Sequence, residues 1–172
     1  MPSSSNNSDN MPEEMNVENI YDHQVEMELK YLLHTVFETY FIYSQAIVQI
    51  QNKRIEGLSE DQSSDIVSFL MEISEARLMT FHKILHFGLT NIHNFEFNIN
   101  LKTENLFLDL KDVPSVFTKR ETFYNELLFS MNKKAAEMDI CELVEFLNSL
   151  IPQSVISLQD DYKRIMKLCH YD

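Results

Sequence analysis

The sequence predicts an all-α fold, a four-helix bundle with one long crossover between its second and third helices. Three observations predict it. The 172 residues contain only two glycines and four prolines, so little interrupts helix formation. Four long segments repeat apolar residues at helical spacing. Between the second and third of them the spacing changes to strict alternation, which belongs to extended chain.

The first 16 residues are rich in Ser and Asn and are expected to form a disordered tail. Residues 17–172 then form one domain, long enough for a single sizeable core. The first helix is expected from about Asn19 to Arg54, with Leu29, Leu33, Val36, Phe37, Tyr40, Ile47 and Val48 facing inward. Gly57 is expected to close it as a C-terminal cap. The second helix starts at Ser59 or Ser63 and reaches Phe87. Its expected inner stripe is Ile66, Phe69, Leu70, Ile73, Ala76, Thr80 and Ile84, with Gly88 as the stop.

Phe95, Phe97, Ile99 and Leu101 alternate with polar residues, so this stretch is expected to be extended. A connection of roughly 20 residues is longer than most. It predicts that the third helix begins at the opposite end of the bundle from where the second stops. Asp112 and Pro114 mark that beginning, as a capping residue and a first-turn proline. Phe117, Glu121, Tyr124, Leu128, Met131 and Ala135 form the third stripe. The fourth helix is expected from about Asp139 to Leu168, carried by Leu143, Leu147, Leu150, Leu158 and Ile165, with a kink at Pro152. Two short links and one long crossover fit this topology better than an alternating array or a bundle with two crossovers.

A net charge of −13 opposes nucleic-acid binding and anionic membranes, and favours metal cations or basic partners. No apolar run approaches the roughly 18 residues of a membrane span. Cys141 and Cys169 are too few and too distant for a disulfide framework. The N-terminus lacks the basic-then-apolar pattern of a secretory signal. A cytoplasmic location is the expectation.

Several stretches resemble the ferritin family. His34-Thr35-Val36-Phe37-Glu38-Thr39-Tyr40 is similar to the first-helix motif, in which Tyr follows a metal-binding Glu by two residues. Glu72-Ile73-Ser74-Glu75-Ala76-Arg77 is similar to the second-helix motif Glu-Glu-Arg-Glu-His. Phe95 to Leu101 resembles the extended crossover at the family's dimer interface. Glu121, Asn125, Leu128 and Met131-Asn132-Lys133 resemble the third helix, and Asp139 to Leu147 the start of the fourth. The resemblance spans residues 20–168 and implies a ferritin-like bundle. The family's short fifth helix has no counterpart.

In that family, facing helices hold a dinuclear iron-oxidising centre of carboxylates and one imidazole, with Glu and His at i, i+3 on the second helix. The resemblance places Glu38 and Glu121 on the first- and third-helix ligands and Glu75 on the first acid of the second-helix motif. The bridging Glu falls on Ala76 and the His on Met79. The Tyr near the metals falls on Gln45, and the fourth-helix Gln on Ser154 or Val155. Inner-surface acids fall on Glu75, Leu78 and Phe81, and the pair lining the three-fold channel on Glu145 and Asn148. The implied centre is degenerate and the implied subunit is not an enzyme.

Plainer readings stand beside these. Glu38 and Glu121 are either buried acids satisfied by Tyr hydroxyls or backbone, or remnants of a metal site. His82 and His86 are expected on the surface, and Met79 and Met131 in the core. Cys141 is expected to be a half-buried thiol, and Asp160, Asp161, Lys163 and Arg164 a solvated face. The Phe/Ile edge of the crossover is expected to favour self-association.

The implied function is iron binding and storage by assembly, through self-association or co-assembly with other ferritin subunits, without oxidase activity. Iron is the implied ion, held if at all by Glu38, Glu75 and Glu121, and not required for folding. One alternative is a metal-free helical protein-interaction module. Another is a single-metal enzyme that uses those three acids.

Overall fold

Helix-favouring composition with few breakers gives four long helices among the described residues of the computed structural model. It describes the backbone of residues 17–101 and 112–169, and the side chains of 23–101, 112–151 and 158–169. The helices are α1 (Val17–Gln51), α2 (Glu60–Asn91), α3 (Asp112–Glu137) and α4 (Cys141–Cys169). The expected N-terminal tail and the later part of the crossover lie outside the described residues. Among the described residues no helix is long and apolar enough to cross a membrane.

The helix ends show local chemistry at work. Ser59 caps α2, its hydroxyl accepting from the Gln62 N–H at 3.1 Å, which satisfies one of the orphan donors of the first turn. Glu60 and Asp61 follow it, favourable beside the positive end of the helix dipole. The close of α1 lies upstream of Gly57. Lys53 takes the left-handed conformation at φ 55°, its N–H donating to Ile50 O and that of Arg54 to Gln49 O. Asp139, at φ 56°, ends α3 in the same way. Both are helix-stop motifs built without glycine.

Gly88 does not stop α2, which continues to Asn91. Its missing side chain instead makes room for Phe95: a Cβ on Gly88 would lie 2.7 Å from that ring. The chain then leaves α2 through Ile92, which is extended, and runs over 95–101 without helix or strand. Phe95 is buried and Phe97 half-buried, while Ile99 is 44% exposed. The alternation holds, but its first two apolar residues turn into the bundle rather than forming an exposed edge. α4 runs through Pro152 as one helix.

The direction of each helix follows from two apolar clusters. One cluster joins Leu29–Val36 of α1, Phe81 and Ile84 of α2, Phe95, Tyr124–Ala135 of α3 and Leu143–Leu150 of α4. The other joins Ile42–Ile50, Ile55, Ile66–Ile73, Val113 and Phe117, and Ile165 with Cys169. The late part of α2 and the start of α3 therefore sit at opposite ends, and α2 and α3 run parallel. α1 packs on α2 and α3, and α4 on α3 and α2, all antiparallel. The long crossover is what this order requires.

Candidate bundle-centre site

Between the two apolar clusters lies a layer of buried polar groups, contributed by several helices. Thr35, Thr39, Ser74, Arg77, Glu121 and Asn125 are all at most 9% exposed. The threonines and Ser74 satisfy themselves on backbone carbonyls of their own helices. Arg77 and Glu121 find each other across the bundle, from α2 to α3. Arg77 Nε donates to Glu121 Oε1 at 3.0 Å, and a second guanidinium nitrogen donates to Oε2. This two-pronged pairing is among the strongest arrangements available to a carboxylate. From α1 the Tyr43 hydroxyl donates to Glu121 Oε1 at 2.8 Å. The Arg77 guanidinium also lies 4.6 Å from the centre of the Tyr124 ring, a favourable cation–π distance.

The electrostatics follow from burial and this pairing. Burial opposes the charge on Arg77, but the facing Glu121 carboxylate outweighs it and leaves the guanidinium even less acidic than usual. Burial pushes the Tyr124 hydroxyl up to about 12, with Arg77 opposing and Glu121 assisting. Burial and then Glu121 push Tyr43 up as well. On α4, burial and then the charges of Glu121 and Glu72 raise the Asp161 carboxyl above its usual value. Asp161 shares with Arg77 and Tyr124 a cavity of 330 Å³ between α2 and α4.

This geometry corrects the expected helical phase of α2. Ala76 is exposed and Met79 is 56% exposed, so neither lies inside the bundle. The inward stripe runs Ile73, Ser74, Arg77, Phe81, Ile84, Gly88. Ala76 and Thr80, expected on the inner stripe, give way there to Arg77, a residue type that is seldom buried unless paired. The spacing 73, 77, 81, 84, 88 carried the opposite signal, with Arg77 at the centre of an apolar face. Glu121 on the third stripe was the second clue, since a buried acid needs a cation or a proton. The tyrosine that reaches the centre is Tyr43, not Gln45, which is half-buried. Phe81 and Leu78 pack in or against the core rather than on an inner surface of carboxylates.

The three expected metal-binding acids go to different places. Glu121 is buried on Arg77 and Tyr43. Glu38 is 34% exposed and accepts from Arg120 at 3.0 Å, with His34 3.9 Å away. Arg120 also reaches Thr39 Oγ1 and Thr35 O, joining α3 to α1. Glu75 is exposed. Among the described residues no three His, Cys, Asp or Glu side chains are grouped to hold a metal ion. The donor set at the centre does not fit one either: both Glu121 oxygens already accept from a guanidinium, and that guanidinium brings a positive charge of its own.

The remaining candidates fall on the surface or in the core. His82, His86 and Cys141 are exposed, and Met131 is buried. Glu145 is exposed, as is Asn148, which accepts from Asn132 at 2.8 Å. Asp160 and Lys163 are exposed, and Arg164 pairs with Glu72 at 2.7 Å. The side chains of Ser154 and Val155 lie outside the described residues.

No known family profile and no curated protein sequence matches the chain. Among solved structures, a crystal structure of an iron-soaked variant of the ferritin PmFTN is similar to it, with a TM-score of 0.71. The two are 12% identical, over 84% of this chain and 88% of that one. The chain thus has a ferritin-like fold.

Proposed function

We propose that this chain is a non-oxidising subunit on a ferritin-like bundle, which serves iron binding and storage by assembly rather than by chemistry. The observation that carries the reading is the Arg77–Glu121 pair, which runs between the diagonal helices at the bundle centre. A dinuclear oxidation centre needs several carboxylate oxygens free to bind two cations. Here the buried carboxylate at that level is engaged by Arg77 and Tyr43, and the i, i+3 inward positions of α2 are Ser74 and Arg77 rather than Glu and His. The bundle supplies its own internal cation and needs no iron to hold its centre together. Its function then lies in its surfaces, through self-association or co-assembly with oxidising subunits.

Ferrous-oxidation kinetics of the purified protein test the first half. The expected trace shows no fast phase beyond autoxidation in buffer. A rapid, stoichiometric phase would overturn the reading. The native mass, measured alone and after co-refolding with an oxidising ferritin, tests the second half. Incorporation into a closed shell supports it; a persistent monomer or dimer replaces it with a metal-free helical interaction module.

A further inference from the structure

His82 and His86 are the one pair of histidines four residues apart in the chain. Both lie on α2, which is unbroken from Glu60 to Asn91, and both are exposed. Residues i and i+4 of an α-helix stand on one face, a turn apart, with about 5–6 Å between their Cβ atoms. Two imidazoles at that spacing can each bring a ring nitrogen to about 2.0–2.1 Å from a shared ion. The rings are free to do so. Among the described residues neither makes a hydrogen bond or an ion pair, and His82 has one ring contact, with Phe81 at 5.7 Å between centroids. The opposite side of the same turns is fixed by the core: Phe81 and Ile84 belong to the apolar cluster, and Gly88 receives the Phe95 ring. The pair is therefore carried on backbone that is already ordered, which lowers the cost of binding. The nearby charges offset, since Glu75 is exposed on the same face two turns before His82 and Lys83 is exposed at its flank. The other described histidines have no such partner. His34 Nε2 is hydrogen-bonded to Asn100 O at 3.0 Å, and His23 and His93 have no imidazole a turn away.

We propose that His82 and His86 form a two-imidazole surface site for a divalent transition-metal ion of the nickel, copper and zinc class. These ions favour imidazole nitrogen, whereas magnesium and calcium take oxygen donors. The two histidines supply adjacent positions around the ion and water completes its coordination. A third protein ligand is not required, so the site is consistent with the lack of any group of three His, Cys, Asp or Glu side chains among the described residues. It uses no residue of the bundle centre, and its failure would leave the reading of that centre untouched.

Nickel(II) chloride titrated calorimetrically into the full-length protein tests this; nickel is chosen over copper(II), which the exposed Cys141 thiol would reduce. The natural chain is expected to bind one equivalent at least about tenfold more tightly than His82→Ala or His86→Ala, because the second imidazole meets an ion already held by the first. His82→Ala/Thr90→His moves the pair one turn along the helix to another exposed position and is expected to restore the affinity. The melting temperature of the natural chain is expected to rise with nickel and not with magnesium. All three positions are exposed, so the variants are expected to keep the helical circular dichroism of the natural chain. Equal affinity of the natural chain and the two single variants would overturn the inference, as would a nickel-induced rise in melting temperature that survives in His82→Ala/His86→Ala. A helical His82→Ala/Thr90→His that fails to regain binding would overturn the assignment of the site to the one-turn spacing.

Discussion

At the scale of single residues, the Tyr43 hydroxyl isolates the contribution of one hydrogen bond to a buried charge. It donates to Glu121 Oε1 at 2.8 Å and is 1% exposed. Tyr43→Phe keeps the ring and its packing on Phe117 but removes that donor. The expected cost is about 1.5–3 kcal/mol, the range for bonds to charged groups, read as a shift in the denaturation midpoint with no change in slope. A variant within error of the natural chain would show that Arg77 alone satisfies the carboxylate. The same layer sets an alkaline limit. Tyr124 titrates near 10.0 when unfolded and at about 12 when folded, and Tyr43 is raised too. A raised folded pKa means that the native state holds its proton longer. The stability this gives is fully present below pH 10 and is lost as pH rises from there through about 12. Stability should therefore be flat in these groups at neutral pH and fall steeply above pH 10, with phenolate absorbance appearing together with unfolding. A smooth phenolate titration that precedes unfolding would place both rings in contact with solvent. Of this polar layer the sequence shows Glu121 and Tyr124 on the inward stripe of α3 and a tyrosine hydroxyl as a partner for the buried acid, which Tyr43 supplies; it does not show Arg77 as the cation. Apolar character and helical phase compete in a single sequence, and on α2 the character of Ala76 and Met79 won when the phase of Arg77 should have.

At the scale of elements, Gly88 sets two known effects against each other. Inside α2, glycine costs about 1 kcal/mol relative to alanine, so Gly88→Ala should stabilise on propensity alone. A Cβ there would lie 2.7 Å from the buried Phe95 ring, and overpacking of this kind costs about 1–3 kcal/mol. The ring cannot retreat easily, because it is held in the apolar cluster with Lys30 5.5 Å from its centre. The expected net effect is a loss of up to about 2 kcal/mol, reversed in sign when Phe95→Ala is already present. A double-mutant cycle on the four proteins measures the coupling, and a coupling near zero would mean the crossover moves aside freely. The helices themselves were largely legible. Period, caps and the change to alternation at Phe95 placed all four and the start of the crossover to within a few residues. What the sequence missed were ends that depend on tertiary contact. Gly88 reads as a stop until Phe95 is seen packed on it, and Lys53 and Asp139 stop helices in a conformation that side chains other than glycine seldom adopt.

At the scale of the whole molecule, the bundle is two apolar clusters separated by a polar layer, and the arrangement poses a question of stability against identity. A buried ion pair rarely stabilises a fold relative to apolar residues of similar volume. Cutting it on one side is different. Arg77→Ala leaves Glu121 buried and uncompensated, at an expected cost of about 3–5 kcal/mol. Replacing the whole unit, with Arg77→Met, Glu121→Met and Tyr43→Phe together, leaves no orphaned donor or charge and lets the clusters meet. That triple variant is expected to match the natural chain or exceed it by about 1–4 kcal/mol, with a denaturation midpoint far above that of Arg77→Ala. The comparison is informative because the separate losses cannot add. If the triple variant is as weak as Arg77→Ala, the pair fixes helix placement in a way that apolar volume does not reproduce. If it is stable, the polar layer is not needed to hold this bundle together.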